Sequence, residues 1–277
     1  MEKPHLNVTD LSSYLYCPRQ FYLQKVKGLR QPPTQPMIEG LMRHQVLETF
    51  GKNEEKLFQN LELINNTLTS EKIKQNYREF LEKIVKNIFQ KNLKSIKAFQ
   101  ININELYKKI KKQMNKEIIL RIIAVENTLR KGFTGEALWE NLQPKYHSEY
   151  PLISEKLGLK GRADRLMISE NTIIPFELKT RQAEKIYPSD EVQLTAYAML
   201  LEEKFNTKIP LAILESGDIK HELTITSEHK QKVLDLIKEV TELLETGNPK
   251  FPSSFSKCQN CFFKEACDNL EEESSKP

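Results

Sequence analysis

The sequence predicts an α/β protein built from helices and short strands, and two patterns lead to this expectation. After His147, short segments rich in Ile, Leu and Phe are separated by Gly158, Gly161 and Asn171, which is typical of consecutive antiparallel strands. Before and between these segments, apolar residues recur at helical spacing. Hydrophobic residues make up 39% and charged residues 29% of the 277 residues, a balance that excludes a wholly disordered chain.

The first 50 residues predict two helices. One runs from Asn7 to Lys25, where large apolar residues recur at helical spacing, and Pro18 kinks or restarts it. A proline-rich loop follows. The second helix is expected from Ile38 to Phe50, and it carries His44.

Residues 51–146 predict a helical insertion. Between Lys52 and Gly132 there is no proline and almost no glycine, and the long amphipathic patterns favour a few helices over strands. From Ile101 to Gly132 the chain has eight Lys or Arg and three Glu. This basic stretch is either a solvated helix face or a surface that contacts nucleic acid, and the sequence leaves both interpretations open.

Residues 147–250 are expected to form the core, in the order three strands, helix, two strands, helix. The expected strands are Tyr150–Glu155, Gly158–Ile168, Thr172–Thr180, Ile209–Glu215 and Lys220–Thr226, and the expected helices are Pro188–Phe205 and a segment from Ser227 or Glu228 to Gly247. Residues 251–277 are a cysteine-rich end. Its last part, Glu271–Pro277, is predicted to be a disordered acidic tail.

Charge and cysteine content limit the class of protein. The 42 Lys and Arg against 38 Asp and Glu give a net charge of +4, which is a weak preference for polyanions. The first ten residues contain no apolar signal segment and no run approaches about 18 apolar residues, so we expect a cytoplasmic protein with no membrane partner. Because there are four cysteines and no export signal, a metal or redox centre is favoured over a disulfide framework.

The densest group of chemically active residues is Asp164 followed by Glu177 and Lys179. On a strand, Glu177 and Lys179 point to the same face, and a hairpin brings Asp164 beside them. Two carboxylates can bind a hard cation such as Mg²⁺ or Mn²⁺, and the ammonium can orient an attacking water or stabilise charge on a phosphate. The alternative is a surface ion pair across two strands, but the apolar segment Ile173–Phe176 predicts a buried strand.

Gln193 and Tyr197 lie one turn apart on the predicted helix that follows these strands. Residues four apart on a helix share a face. The two side chains are therefore candidates to contact DNA or to hold Lys179 and a metal-bound water in place.

This ordered set resembles the RecB-type branch of the PD-(D/E)XK nuclease superfamily. The resemblance includes Asp164, the Glu-X-Lys of residues 177–179, the Gln-X3-Tyr of residues 193–197 and an upstream helical histidine, His44. It implies a restriction-endonuclease-like core with a mixed central sheet. It also implies that His44, Asp164, Glu177 and the main-chain carbonyl of Leu178 bind the metal, and that Lys179 is catalytic.

The cysteines form a second signature. Cys258, Cys261 and Cys267 lie within ten residues of one another, whereas Cys17 is near the N-terminus. Four thiolates suit an iron–sulfur cluster or tetrahedral zinc, chance clustering of free thiols is a third alternative, and spacing does not choose among them. The split arrangement resembles the iron–sulfur RecB-like nucleases, which implies a 4Fe-4S cluster in a lobe formed by both termini.

Within that group, the chain resembles the CRISPR-associated RecB-like exonucleases, which work with the CRISPR integrase. The resemblance implies a Mg²⁺- or Mn²⁺-dependent nuclease that trims prespacers by cutting single-stranded DNA or overhangs. One departure is Asp190, where many members have a histidine. We expect this change to affect strand preference or cleavage rate and to leave the metal site intact.

Two other functions fit the same residues. The first is a related iron–sulfur nuclease of DNA repair or of virus or plasmid replication. The second is a non-catalytic scaffold that binds DNA through its basic helices. The presence of Asp164, Glu177 and Lys179 together argues against the scaffold, because a protein without chemistry has no need for all three.

Overall fold

A computed structural model describes residues 5–59, 70–169, 172–179, 183–217, 219–251 and 255–274. Its helices are α1 (Val8–Tyr16), α2 (Pro18–Lys25), α3 (Gln35–Asn53), α4 (Glu55–Gln59), α5 (Ser70–Lys91), α6 (Leu93–Ala98), α7 (Ile103–Arg130), α8 (Gly135–Asn141), α9 (Pro188–Phe205), α10 (Ser227–Thr246) and α11 (Lys264–Ser274). Its strands are β1 (Leu6–Asn7), β2 (Lys145–Ser154), β3 (Leu159–Ser169), β4 (Thr172–Lys179), β5 (Leu211–Ser216) and β6 (Ile219–Thr224).

The predicted α/β order is confirmed. The N-terminal helix breaks at Cys17, whose backbone is extended, and Pro18 becomes the first residue of α2, where its missing N–H costs no hydrogen bond. Helix α9 has the predicted bounds, and each predicted strand of the core is present with ends shifted by a few residues. Strand β1 was not predicted, because a strand of two residues is too short for a periodic pattern.

The predicted disordered tail is wrong for residues 271–274, which belong to α11. Acidic residues are fair helix formers, so a charged end continues a helix that has already begun at Lys264. Residues 275–277 lie outside the described part of the chain.

The sheet is mixed, and part of one β3 edge has no partner strand among the residues described. Strands β2, β3 and β4 are antiparallel neighbours, β4 runs parallel to β5, and β6 is antiparallel to β5. Strand β2 pairs with one edge of β3. Strands β1 and β4 both pair with the opposite edge, at different positions along it. Strand β1 pairs at Leu159 and Lys160, and β4 pairs from Arg165 onward. The edge from Gly161 to Asp164 therefore has no partner strand among the residues described.

The two faces of the sheet are covered by different helices. One core joins the sheet to α1, α9 and α10, and includes Leu11, Leu166, Leu194 and Val233. A second core lies within α3 to α8, and a small third one packs Leu47 of α3 against β4. Alternate residues of β4 therefore face α3 or α9.

Buried ion pairs attach the insertion to the sheet and join helices within the insertion. Arg165 of β3 donates to Glu117 of α7 (2.9 Å) and to Glu215 of β5 (3.2 Å), and its side chain is 6% exposed. Arg121 of α7 donates to Glu54 at 2.6 Å, and both are buried. Removing one partner of such a pair leaves a buried charge alone, at a cost of about 3–5 kcal/mol. Arg121 thus belongs to the interior, and the other seven basic residues of the stretch Ile101–Gly132 are exposed.

Among the helices of the described residues, none combines the length and apolar character that a membrane crossing needs.

Candidate active site

Three carboxylates lie in one row across β2, β3 and β4. In the β2–β3 register, Ser148 pairs with Arg165 and Tyr150 with Ala163, so Glu149 stands opposite Asp164. In the β3–β4 register, Arg165 pairs with Phe176, and the next position sets Asp164 beside Glu177. The backbone ladder is interrupted at this row, because the two strands β3 and β4 part here. The Asp164 carboxylate fills the gap by accepting a hydrogen bond from the Leu178 N–H at 2.8 Å.

His44 reaches this row from α3. Its Nε2 lies 3.1 Å from the Leu178 carbonyl oxygen. Its Nδ1 lies 3.8 Å from Asp164 Oδ1 and 4.0 Å from Glu149 Oε1. One ligand atom each from His44, Glu149 and Asp164 fall within 4.8 Å of one another. The structure therefore brings His44 and Asp164 together as predicted, and adds Glu149.

Lys179 and Glu177 form a second group on the α9 side of the same row. Lys179 Nζ donates to Glu177 Oε1 at 2.7 Å and to Gln193 Oε1 at 3.2 Å. Asp190 Oδ1 lies 3.8 Å from the same nitrogen. The predicted residue Gln193 thus holds Lys179 directly, and Asp190 provides a second carboxylate near the ammonium.

Tyr197 supports this group from behind. Its buried hydroxyl contacts Gln193 and the backbone of Arg162 by hydrogen bonds, and burial raises the pKa of the phenol. The ring packs on Gly161, where an added Cβ would lie 2.9 Å from the ring and 2.9 Å from Val8. A glycine is therefore required there, because any side chain would displace the tyrosine.

The electrostatics of the row disfavour the charged form of its carboxylates. Burial raises the pKa of Asp164 to about 7, although the Leu178 N–H and Lys179 oppose the shift. Burial and then the nearby charge of Asp164 raise the pKa of Glu177 to about 7. Burial lowers the pKa of Lys179, but the carboxylates of Glu177, Asp190 and Asp164 together outweigh burial and the net shift is upward. The Lys179 ammonium therefore stays charged. Its single positive charge is too little to keep the neighbouring carboxylates ionised.

The donor set fits a divalent cation. Carboxylate oxygens and an imidazole nitrogen are ligands that Mn²⁺ accepts, and carboxylate oxygens suit Mg²⁺. Glu177 is 4% exposed, and its Oε2 has no hydrogen-bond partner in the part of the chain that the structure describes. An unsatisfied buried carboxylate oxygen is costly, and a cation beside it would remove that cost.

The four cysteines lie where the two ends of the chain meet. Cys17 caps α2, its Sγ accepting from the Gln20 N–H at 3.5 Å. Arg19 lies 3.8 Å from the Sγ of Cys267, and Lys257 donates to the Tyr16 carbonyl at 3.2 Å. None of the cysteines is in a disulfide, and burial raises the pKa of Cys267. Cys258 and Cys261 lie in one turn, in which the Cys261 N–H donates to the Cys258 carbonyl oxygen.

Glu149 was not among the site residues predicted from the sequence. The residue belongs to no motif, and its place opposite Asp164 depends on the register of β2, which a local pattern does not reveal. Glu149 lay just outside the predicted strand Tyr150–Glu155, whereas β2 begins at Lys145 and includes it.

The raised pKa values predict that metal-free protein loses stability as the pH rises. Between about pH 4, where these carboxyls titrate when unfolded, and about pH 7, the folded state binds more protons than the unfolded state. The free energy of unfolding therefore falls across this interval. Asp164→Asn should raise it at pH 8 by on the order of 1 kcal/mol or more and flatten the profile, as measured by denaturant unfolding with EDTA.

The matched control is Asp235→Asn, which changes an exposed carboxylate on α10. It should leave the pH profile unchanged. Parallel profiles for wild type and Asp164→Asn would show that the row is not electrostatically strained.

Comparison with known proteins places these observations in a family. The profile of the PD-(D/E)XK nuclease superfamily matches residues 5–268. The solved structure of SSO0001 overlaps 85% of this chain and 98% of its own, with 18% identity and a TM-score of 0.33, which is too low to bear on the fold.

Three curated relatives share parts of the sequence. A CRISPR-associated exonuclease Cas4/endonuclease Cas1 fusion of Leptospira interrogans serogroup Icterohaemorrhagiae serovar Lai (strain 56601) is 29% identical over 149 residues, 49% of this chain and 28% of that protein. A fusion of the same description from Myxococcus xanthus (strain DK1622) is 40% identical over 80 residues, 26% and 14% of the two chains. The CRISPR-associated exonuclease Cas4 of Francisella tularensis subsp. novicida (strain U112) is 26% identical over 124 residues, 44% and 63%.

The chain spans less than two thirds of each of these relatives. The superfamily profile, in contrast, covers nearly the whole chain, and the matched range includes the carboxylate row and all four cysteines. The resemblance predicted from the motifs is confirmed, and the chain belongs to the PD-(D/E)XK nuclease superfamily.

Proposed function

We propose that the protein is a metal-dependent deoxyribonuclease that hydrolyses phosphodiester bonds at the row formed by Glu149, Asp164 and Glu177. The observation that carries this proposal is the convergence of that row with His44 on one side and Lys179 on the other. A divalent ion bound there supplies positive charge that polarises the phosphate and lowers the pKa of an attacking water.

The side chains divide the remaining work. Asp164 and His44 would hold the ion, together with Glu177 and the Leu178 carbonyl in the arrangement that the family resemblance implies. Lys179 would orient the water and stabilise the charge that develops on the phosphate. Gln193 keeps the Lys179 ammonium in place through its 3.2 Å hydrogen bond, and Tyr197 in turn contacts Gln193. Such positioning lowers the entropy cost of reaction.

We infer that the substrate is single-stranded DNA or the overhang of a duplex. Along the β3 edge beside the row, residues 161–164 pair with no strand among the residues described, and we propose that an extended DNA strand approaches along this edge. The exposed basic residues of α7 offer charge for phosphate contacts at one side of the molecule.

The pathway that we propose is prespacer trimming in CRISPR adaptation, in association with an integrase of the Cas1 type. Two of the similar proteins carry a Cas4 exonuclease and a Cas1 endonuclease in one chain, and the third is a Cas4 exonuclease. Proteins that occur fused elsewhere are candidates to associate as separate chains.

We propose further that Cys17, Cys258, Cys261 and Cys267 hold a 4Fe-4S cluster. Support comes from the contacts that bring the two ends of the chain together, Arg19 with Cys267 and Lys257 with Tyr16. Arg19 also stacks on Phe251 at 3.5 Å from the ring centroid. Four thiolates from both ends would cross-link the termini through one cofactor.

Replacing Lys179 by alanine should lower the rate of DNA cleavage by about 10²–10³-fold, because it removes the donor aimed at the developing charge. Binding of a labelled single strand with EDTA should change little, because Lys179 is only one of many cations. Lys208→Ala, which changes an exposed lysine after α9, is the matched control and should cut at the wild-type rate. Equal cleavage by Lys179→Ala and Lys208→Ala would refute the catalytic role.

Replacing Cys267 by serine should remove the visible absorption of an iron–sulfur cluster and lower the melting temperature of anaerobically purified protein, because the clasp between the termini is lost. Asp268→Asn, an exposed neighbour on α11, is the control. If wild-type protein contains zinc and no iron, the four cysteines form a zinc site and the proposed cluster is wrong. Identical spectra and melting for Cys267→Ser would remove cofactor binding at these cysteines altogether.

A further inference from the structure

Glu149 is the member of the carboxylate row that the family pattern leaves out. That pattern assigns the metal to His44, Asp164, Glu177 and the Leu178 carbonyl. In the structure, the Leu178 carbonyl is engaged by His44 Nε2, and one oxygen of Glu177 is engaged by Lys179. The His44 Nδ1 faces Glu149 and Asp164.

The tautomer of His44 follows from these contacts. A carbonyl oxygen only accepts hydrogen bonds, so Nε2 must carry the proton that it shares with Leu178 at 3.1 Å. In the neutral imidazole, Nδ1 then has a free lone pair. This lone pair is directed to the side of the row where Glu149 lies, and that is the form in which imidazole binds a metal.

The separations fit ligands of a common ion. Nδ1 is 3.8 Å from Asp164 Oδ1 and 4.0 Å from Glu149 Oε1, which is too long for hydrogen bonds. Neighbouring ligands that are each about 2.1–2.2 Å from an octahedral cation lie about 3 Å apart, so binding one ion would draw these atoms together by roughly 1 Å or less. Asp164 contributes Oδ1 to this group because its Oδ2 accepts from the Leu178 N–H.

The backbone of Glu149 has a strained conformation. Its φ is +54°, in the left-handed region that glycine occupies freely and other residues rarely adopt. Ser148 and Tyr150 on either side keep regular pairing with β3. Strained residues that the surroundings hold in place are concentrated at functional sites.

We propose that Glu149 is a ligand of the divalent ion, bound through Oε1 beside His44 Nδ1 and Asp164 Oδ1. The inference rests on the proposed nuclease function and places the ion toward β2. Arg162, whose Nη1 lies 3.8 Å from the other carboxylate oxygen of Glu149, orients that carboxylate from the solvent side.

The test is the affinity of purified full-length protein for Mn²⁺, measured by isothermal titration calorimetry without DNA. Glu149→Gln keeps the size of the side chain and removes its charge, and it should raise the Mn²⁺ dissociation constant at least tenfold. Glu48→Gln is the matched control. Glu48 lies one turn from His44 and is close enough to influence Glu149, but it pairs with Lys52, so the change should raise the constant less than threefold.

Glu149→Gly separates binding from folding. It relieves the left-handed strain, so the melting temperature of the metal-free protein should stay the same or rise while Mn²⁺ affinity falls as in Glu149→Gln. Retained Mn²⁺ affinity in either Glu149 variant would overturn the inference. Suppose that wild type binds Mn²⁺ and cuts DNA, and that Glu149→Gln has the same Mn²⁺ dissociation constant as wild type. In that case only the role of Glu149 fails. If wild type binds no Mn²⁺, the proposed function fails with it.

Discussion

The confinement of several carboxylates beside one ammonium is the constraint that shapes this protein. Glu149, Asp164 and Glu177 lie in one row, and Asp190 adds a fourth carboxylate near Lys179. Burying such groups without compensation disfavours their charged forms, which is why the pKa values of Asp164 and Glu177 are raised. The fold holds this arrangement without a cation at a cost in stability, and a bound divalent ion would reverse that cost.

The rest of the structure keeps the row rigid from both faces. Helix α3 brings His44 to the Leu178 carbonyl, and α9 brings Gln193 to Lys179. Because neighbouring strand residues point to opposite faces, Arg165 turns away from the site and anchors α7 through Glu117. The insertion is thus attached to β3, the strand that carries Asp164, so a displacement of α7 would also displace that strand.

The sequence allowed parts of this site to be predicted for local reasons. Glu177 and Lys179 share a face by the two-residue period of a strand, and an antiparallel hairpin brings Asp164 beside them. His44 was assigned by resemblance alone, because its contact with Leu178 joins positions 134 residues apart, beyond the reach of any local pattern. Glu149 was missed because strand register and a left-handed backbone decide its position. Arg121 was grouped with the surface charges because periodicity does not reveal its buried ion pair with Glu54.

The most direct test of the central claim is Mn²⁺-dependent cleavage of end-labelled single-stranded DNA by anaerobically purified protein, with wild type beside Asp164→Ala. The carboxylate row predicts cleavage by wild type, none by the variant, and full inhibition by EDTA. Equal cleavage by both proteins would contradict the assigned site. No cleavage of single strands, overhangs or duplexes by either protein would contradict the nuclease function itself.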